Sequence, residues 1–185
     1  RETKGAEPVL TFIANYGLII SGDSPEVISS MCSKVVEDLR GHCVSNNAGT
    51  MVDAGEKDMD AVMETAPRLR TWLGGSRPAT VCTLGAFEPA EGAFTPFHAR
   101  HAGLGALVAD AVDAEAIRGY EAKHGLKPSV VSIPGKAVFV SGPDYKHARA
   151  FVEAVLNAAQ VKLMSSAFGG PRYMDDGQAL MAREM

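Results

Sequence analysis

Short apolar runs flank turn residues at two places in the chain. Four of these runs are rich in β-branched residues and are predicted to be strands: Leu10–Ile13, Leu18–Ile20, Val130–Ile133 and Val138–Val140. The turns between them, Asn15–Gly17 and Pro134–Lys136, contain the Asn, Gly and Pro residues that chain reversals need. The strands are almost continuously apolar, which is typical of strands covered on both faces. The pattern therefore predicts two buried β-hairpins.

Each predicted hairpin is followed by an amphipathic helix, and the two units match at a constant offset. Pro8–Gly22 aligns with Pro128–Gly142 without a gap, an offset of 120 residues. Ser24 is expected to cap the first helix, and the second is expected to begin near Asp144. The apolar faces of the helices align as well: Ile28, Met31, Cys32, Val35 and Leu39 in the first, and Ala148, Phe151, Val152, Val155 and Ala159 in the second. The match fits a duplication, although any two strand–turn–strand–helix units would give a similar pattern.

The segment between the two units is mainly helical in pattern. Apolar positions over Glu56–Ala66 have helical spacing, and Pro67 is expected to kink or restart that helix. Thr80–Leu84 is predicted to be a strand, and further helices are predicted at Asp113–His124 and Gln178–Glu184. Because helices that pack on a sheet define an α/β fold, we predict three α/β/α layers around a largely antiparallel or mixed sheet.

The length and composition agree with one globular domain and a smaller lobe. The chain has 185 residues, of which 46% are hydrophobic and 22% are charged. Asn46–Gly55 is the best candidate for a linker. We therefore predict a first unit over residues 1–45, and a second part over residues 46–185 that contains the helical middle and the second hairpin–helix unit.

Charge and cysteine content exclude some classes of partner. The net charge is −4 and the basic residues are scattered, which argues against nucleic-acid binding. The longest apolar stretch, Pro8–Ser21, is interrupted by polar residues and is too short to span a bilayer, so no membrane association is expected. Cys32, Cys43 and Cys82 form no C-x-x-C pair and fit reduced thiols in the cytoplasm, with Cys32 and Cys82 as small buried hydrophobes.

A pair of histidines is the first candidate for chemistry. The spacing of His98 and His101 places both imidazoles on one side of a helix, where they could bind a metal with a third ligand from elsewhere. A partly exposed polar pair at a helix start is the alternative. Arg100, between them, could hold a phosphate or a carboxylate through two hydrogen bonds. Gly169–Arg172 could approach an anion, but a turn that ends a helix explains the same residues.

From Asn15 to Glu26 the sequence resembles the class II aldolase/adducin family. That family has an Asn-His-Gly turn, an apolar strand, a Gly-Asp-Thr/Ser turn and a helix. Pro128–Gly142, the helix after it and Ala167–Gly170 are similar to the C-terminal extension of the long forms, which include the aldolase half of bifunctional rhamnulose-phosphate aldolase proteins. Thr95–His98 resembles a Thr/Cys-Pro-Asp-His stretch of the same long forms.

The resemblance implies a lyase of carbohydrate metabolism. A divalent metal, usually zinc, would stabilise an enediolate during reversible aldol cleavage of a sugar phosphate. The family holds this metal with an upstream His-x-His and with the His of the Asn-His-Gly turn. Here Tyr16 occupies the turn position, Phe97 replaces the Asp of the long forms, and no His-x-His occurs. We therefore predict no metal site within this chain, and Asn15, Gly17 and Arg100 as candidate substrate contacts.

Three functions follow from these observations. The chain is a class II aldolase-like lyase that works only as part of a longer chain or assembly, an interpretation that also fits its start at Arg1 rather than Met. Alternatively it is a non-catalytic binding or assembly module with a degenerate metal site. In the third hypothesis Tyr16 is an acid with His98 or His101 as its partner. By resemblance, the partners would be a small sugar phosphate and further copies of the same chain.

Overall fold

The computed structural model describes residues 9–184, which form a mixed α/β structure with two sheets and six α-helices. In chain order the elements are β1 (Leu10–Ile13), β2 (Gly17–Ile20), α1 (Pro25–Ser45), α2 (Met59–Leu73), β3 (Thr80–Leu84), α3 (Pro96–Ala102), β4 (Leu107–Val108), α4 (Ala114–His124), β5 (Val130–Ile133), β6 (Ala137–Gly142), α5 (Tyr145–Ser165) and α6 (Asp176–Glu184), with a 3-10 turn at Ser166–Phe168. The α/β class predicted from the sequence is confirmed at this level.

Side-chain caps determine where five of the helices begin, including α1, whose cap Ser24 was predicted. The residue before each helix has an extended backbone, and its side-chain oxygen accepts a hydrogen bond from the N–H three residues later: Ser24, Asp58, Thr95, Asp113 and Asp144. At the other end of α4, Gly125 takes a left-handed conformation with φ of 75° and donates to the Glu121 carbonyl. Local sequence therefore determines these helix boundaries.

The larger sheet is mixed, in the strand order β3-β6-β5-β4. β5 and β6 form the second predicted hairpin, in which Val131 lies opposite Phe139. β3 pairs antiparallel with β6, so that Cys82 lies opposite Val140, and the short β4 pairs parallel with β5. The hairpin thus lies in the middle of the sheet, where a nearly continuous apolar sequence is expected.

Helices cover both faces of this sheet. On one face the buried side chains come from α2, α4, β5 and β6: Val62, Leu69, Ile117, Val131, Ile133, Ala137 and Phe139. On the other face they come from α3, α5 and the same two strands: Ala102, Val130, Val138, Val140, Ala154 and Val155. The main core is therefore built around the second hairpin.

The two hairpin–helix units keep their offset of 120 residues in the structure. Asn15 in the first turn and Gly135 in the second have positive φ angles of 57° and 70°, the left-handed region that Asn and Gly tolerate. Tyr16 N–H donates to the Ile13 carbonyl in the first turn, as Lys136 does to Ile133 in the second. The helices α1 and α5 have equivalent bounds and both contain 21 residues.

The two units differ in how far their strands are buried. The prediction that both hairpins are covered is wrong for the first hairpin. β1 and β2 form a separate two-stranded sheet, with Phe12 65% exposed and Ile19 53% exposed. Their equivalents in the second unit, Ser132 and Phe139, are 2% and 1% exposed. The reason is that no strand of residues 9–184 extends the first sheet, and its contacts with other elements are few.

Several smaller expectations also need correction. The first turn covers Ala14–Tyr16, and Gly17 already belongs to β2. Helix α2 continues through Pro67 rather than restarting there. Cys32 is exposed on α1, because α1 packs weakly against its hairpin, whereas Cys43 is buried and Cys82 is partly buried. The aligned Pro8 lies outside the described residues.

Candidate functional site

The first hairpin turn contains three of the candidate residues. The Asn15 side-chain amide donates to the carbonyls of Phe94 and Arg172, at 3.1 and 3.0 Å. Both amide protons are thus used to attach the turn to the rest of the fold. The neighbouring Tyr16 is 71% exposed, and Gly17 pairs with Ile13 in the hairpin ladder. The structure therefore gives Asn15 a structural contact and leaves Tyr16 on the surface.

His98 is buried in α3 and is also used structurally. Its side chain is 3% exposed, and Nε2 donates to Asn157 Oδ1 at 2.8 Å. The ring also packs edge-on against Phe94, with 6.1 Å between ring centroids. Nδ1 has no hydrogen-bond partner among residues 9–184. His98 and Asn15 thus contact the same residue, Phe94, but the described contacts do not join His98 to Tyr16.

His101 lies on α3 in a group of aromatic rings. Its ring centroid is 4.8 Å from that of Phe97 and 5.8 Å from that of Phe151. Partial burial lowers the pKa of His101, and the nearby positive groups Arg100 and His147 lower it further. Arg100 itself is exposed. The spacing of three residues does bring His98 and His101 to one ring, Phe97, as the helical pattern indicated.

His147 faces a carboxylate instead of a metal ligand set. Its Nδ1 lies 2.8 Å from Asp144 Oδ2, and its backbone N–H donates to Oδ1 of the same residue. These hydrogen bonds, first the backbone one and then the side-chain one, lower the pKa of the Asp144 carboxyl. Asp144 and His147 therefore form a capping pair at the start of α5.

The residues that the structure describes do not fit the metal site that the resemblance implies. Across residues 9–184 no group of three or more His, Cys, Asp or Glu side chains is arranged to hold a metal ion. Tyr16 presents an exposed phenol at the position of the family's histidine, and a neutral phenol is a weaker zinc ligand than an imidazole. No chemical step through zinc is therefore derived for this chain.

A cavity of about 540 Å³ opens where the carboxyl end of β6 meets the amino ends of β3 and β5. We call it the cationic cleft; its polar and aromatic lining consists of Ser76, Arg77, Lys127, Ser129, Ser141, Phe151 and Arg183. No Asp or Glu is among its lining residues. None of its three cations lies within 4.0 Å of a carboxylate of residues 9–184.

Backbone carbonyls position two of the cleft's cations. The Lys127 ammonium donates to the carbonyls of Trp72 and Gly74, at 2.8 and 2.9 Å. Arg183 Nη1 donates to the carbonyl of Ala99 at 3.1 Å. These contacts fix the charges without neutralising them. The cleft is not recognisable from the sequence, because its residues lie far apart along the chain and form no local motif.

A second group that the sequence did not reveal surrounds Lys162, between cavities of about 420 and 440 Å³. Its ammonium lies 3.1 Å from Glu91 and 3.6 Å from Glu88. Burial on its own would lower the pKa of Lys162, but the hydrogen bond and the charge of Glu91, with Tyr173 and Glu88, outweigh burial and raise it. A lysine that keeps its proton is a poor amine nucleophile, so this group is suited to a structural ion pair.

Tyr120 and His124 line a fourth surface cavity, of about 590 Å³. The Tyr120 hydroxyl donates to the Gly105 carbonyl at 2.8 Å, and its ring lies 4.4 Å from that of His124. Burial raises the pKa of Tyr120 to about 12. Near neutral pH the phenol is therefore a fixed hydrogen-bond donor and is unsuited to act as a general acid.

The glycine-rich segment after α5 is a helix-ending turn, as the simpler interpretation expected. Gly169 and Gly170 have positive φ angles of 89° and 97°, and Gly170 N–H donates to the Ser165 carbonyl. Arg172 follows on the surface, where its carbonyl receives the Asn15 amide.

Comparisons with family models, with curated proteins and with solved structures found no match to this chain. The resemblance to the class II aldolase/adducin family therefore stays a prediction from its short motifs. Among the described residues, no helix is long and apolar enough to cross a membrane.

Proposed function

We propose that the chain is an aldolase/adducin-like assembly module, which uses its first hairpin to associate with another polypeptide and has no lyase site of its own. One observation carries the proposal: the apolar strands β1 and β2 are exposed, whereas the equivalent strands β5 and β6 are buried. A two-stranded sheet is marginal in water without cover. An apolar edge with unpaired N–H and C=O groups is a ready template for another strand.

The second unit indicates what the open edge of β2 binds. β2 corresponds to β6, and β6 pairs antiparallel with β3 on the side away from its hairpin partner. The matching edge of β2 is thus suited to an antiparallel apolar strand. A twofold axis beside β2 supplies such a strand, because it pairs β2 antiparallel with β2 of a second copy.

Charges at the two ends of β2 favour the same arrangement. Arg172 lies beside the start of β2, since its carbonyl accepts from Asn15, and Asp23 follows the other end. Antiparallel pairing of two copies brings Asp23 of each toward Arg172 of the other. Neither side chain has an ion pair within residues 9–184. We therefore commit to a homo-oligomer as the associated state.

The candidate site residues support a module without its own lyase site. Asn15 and His98 are used for hydrogen bonds within the fold, and His101 packs among aromatic rings. Of the three catalytic candidates, Tyr16, His98 and His101, only Tyr16 is exposed, at the turn before β2. A metal-dependent site at this turn would need histidine ligands from outside residues 9–184, either from a longer chain or from a neighbouring polypeptide. The lyase and the module hypotheses differ in whether such ligands are supplied.

Sedimentation equilibrium of the purified chain over a range of concentrations tests the association. An Ile19→Lys substitution puts a charge on the exposed strand, and Met63→Lys, on an exposed position of α2, is the matched control. We expect concentration-dependent association that Ile19→Lys weakens at least about tenfold and that Met63→Lys leaves unchanged. A chain that stays monomeric throughout, or equal behaviour of the two variants, would contradict the proposal.

An aldol-cleavage assay on sugar phosphates tests the second part of the proposal, that the chain has no lyase site of its own. We expect no turnover by this chain, with or without added zinc. Turnover that a Tyr16→Phe substitution abolishes would show that the chain has a lyase site of its own and that the third hypothesis was correct.

A further inference from the structure

The cationic cleft has the composition of an anion site, and we propose that it binds a small organic phosphate. It carries three positive side chains, from Arg77, Lys127 and Arg183. It also carries three hydroxyls, of which that of Ser141 already donates to the Ser129 carbonyl; the other two belong to Ser76 and Ser129. A concave surface that concentrates charge of one sign attracts ligands of the opposite sign. The inference does not depend on the association proposed above, because none of these residues belongs to the first hairpin.

Lys127 and Arg183, whose charged groups are held by backbone carbonyls, still have unused N–H donors. An ammonium group has three N–H donors and a guanidinium has five. Lys127 uses two of its donors on carbonyls and Arg183 uses one. Two acids adjoin lining residues along the chain. The Asp144 carboxylate already accepts from the backbone and the ring of His147. Glu184, which follows Arg183, is exposed and forms no ion pair within residues 9–184. The three cations therefore have no carboxylate partner among the described residues, and their remaining donors are open to a bound anion.

Two of the cleft's donors, the Ser129 hydroxyl and the Arg183 guanidinium, lie beside the same residue, Gly103. Gly103 has a φ of 85°, and a Cβ at this position would lie 3.4 Å from Ser129 Oγ and 3.8 Å from Arg183 Nη1. The hydroxyl and the guanidinium thus flank the same glycine. Phosphate oxygens accept hydrogen bonds from both kinds of group, and a guanidinium binds them through two parallel bonds.

The size and the apolar part of the cleft indicate the rest of the ligand. About 540 Å³ is within the range of small-molecule sites. Phe151 and Leu73 also line the cleft and offer apolar surface beside the cations. A phosphate group attached to a small organic body matches this combination better than a polymer, which a cavity of this size would not enclose.

Isothermal titration of the purified chain at fixed ionic strength tests the proposal, with inorganic phosphate, glucose 6-phosphate and succinate as probes. Arg77→Gln is the test variant, because Arg77 is exposed and makes no ion pair in the described chain. Arg68→Gln is the matched control, since Arg68 is exposed on α2 and pairs with Glu64 outside the cleft. Amide chemical shifts of Ser129 and Ser141 report where the probe binds.

We expect glucose 6-phosphate to bind more tightly than inorganic phosphate and to shift both serine amides. Arg77→Gln should weaken binding about tenfold, and Arg68→Gln should leave it unchanged. The proposal is overturned if no probe binds at about 10 mM, the range of weak but specific sites. It is equally overturned if the two variants bind alike, or if succinate binds as tightly as the phosphates. Loss of phosphate binding with intact self-association separates this result from the proposed function.

Discussion

Replacement of Asn15 measures how the first hairpin is attached to the fold. Its amide donates two hydrogen bonds, to Phe94 and Arg172, from a backbone with a φ of 57°. Asn15→Gly removes both hydrogen bonds, and glycine adopts the positive φ angle at this position without strain. At about 1 kcal/mol for each hydrogen bond, the loss is about 2 kcal/mol. Asn15→Ala removes the same bonds and adds about 1 kcal/mol of strain, because alanine disfavours the left-handed region.

Amide hydrogen exchange is the suitable measurement, because the effect should be local. The hairpin is a separate sheet with few contacts to the rest of the chain, so it should open without global unfolding. If the hairpin closes faster than its open state exchanges, a loss of about 2 kcal/mol in the free energy of local opening makes exchange in β1 and β2 about thirtyfold faster. Exchange in β5 and β6 should stay as in the parent protein. Unchanged exchange in Asn15→Gly would refute the anchoring role, and an equal change in all four strands would refute the independence of the hairpin.

Three further predictions concern the core and its ionisable groups. Phe139→Ala should lower the free energy of unfolding by about 3–5 kcal/mol, because Phe139 is only 1% exposed and its ring is packed in the core. Urea denaturation measures this change, and a loss below about 1 kcal/mol would contradict the packing. Folding should favour neutral His101, because the pKa of its imidazole is lowered in the folded state. Its contribution to stability is therefore complete above the ordinary pKa and is lost as pH falls. His101→Gln should flatten the dependence of the unfolding free energy on pH between about 7.5 and 5, and an unchanged slope would contradict this. Tyr120 should ionise near pH 12, so the phenolate absorbance that develops in that range should decrease in Tyr120→Phe. A Tyr120 transition near pH 10 would contradict its burial.

Local features of the fold could be predicted from the sequence because they depend on neighbouring residues. The hairpin turns, the cap of α4 at Asp113 and the Gly125 terminus follow from side-chain hydrogen bonds and backbone preferences over a few positions. A kink or a restart of the helix was expected at Pro67. The helix does not restart there, because tertiary packing of Leu69 and Val62 holds α2 together across this residue.

Features that depend on distant residues could not be predicted in this way. The cationic cleft joins Arg77, Lys127 and Arg183, whose positions along the chain share no pattern. His98 looked like a ligand because of its spacing from His101, and only the contact with Asn157, 59 residues away, shows its structural use. The chemistry of such groups depends on which side chains the fold brings beside them, and that information is not local.

The exposed hairpin has a different cause, and it gives the strongest argument for association. β2 and β6 have similar apolar sequences, so their patterns predict the same burial. Within residues 9–184 only β6 is buried, because β3, α2 and α5 pack beside it. No strand other than β1 pairs with β2, and its contact with α1 is weak. A pattern of apolar residues indicates the surface that a strand buries in its final state, whichever polypeptide supplies the cover. The mismatch at β2 therefore points to a missing neighbour, and a lysine at Ile19 is the substitution that should show whether a second copy supplies it.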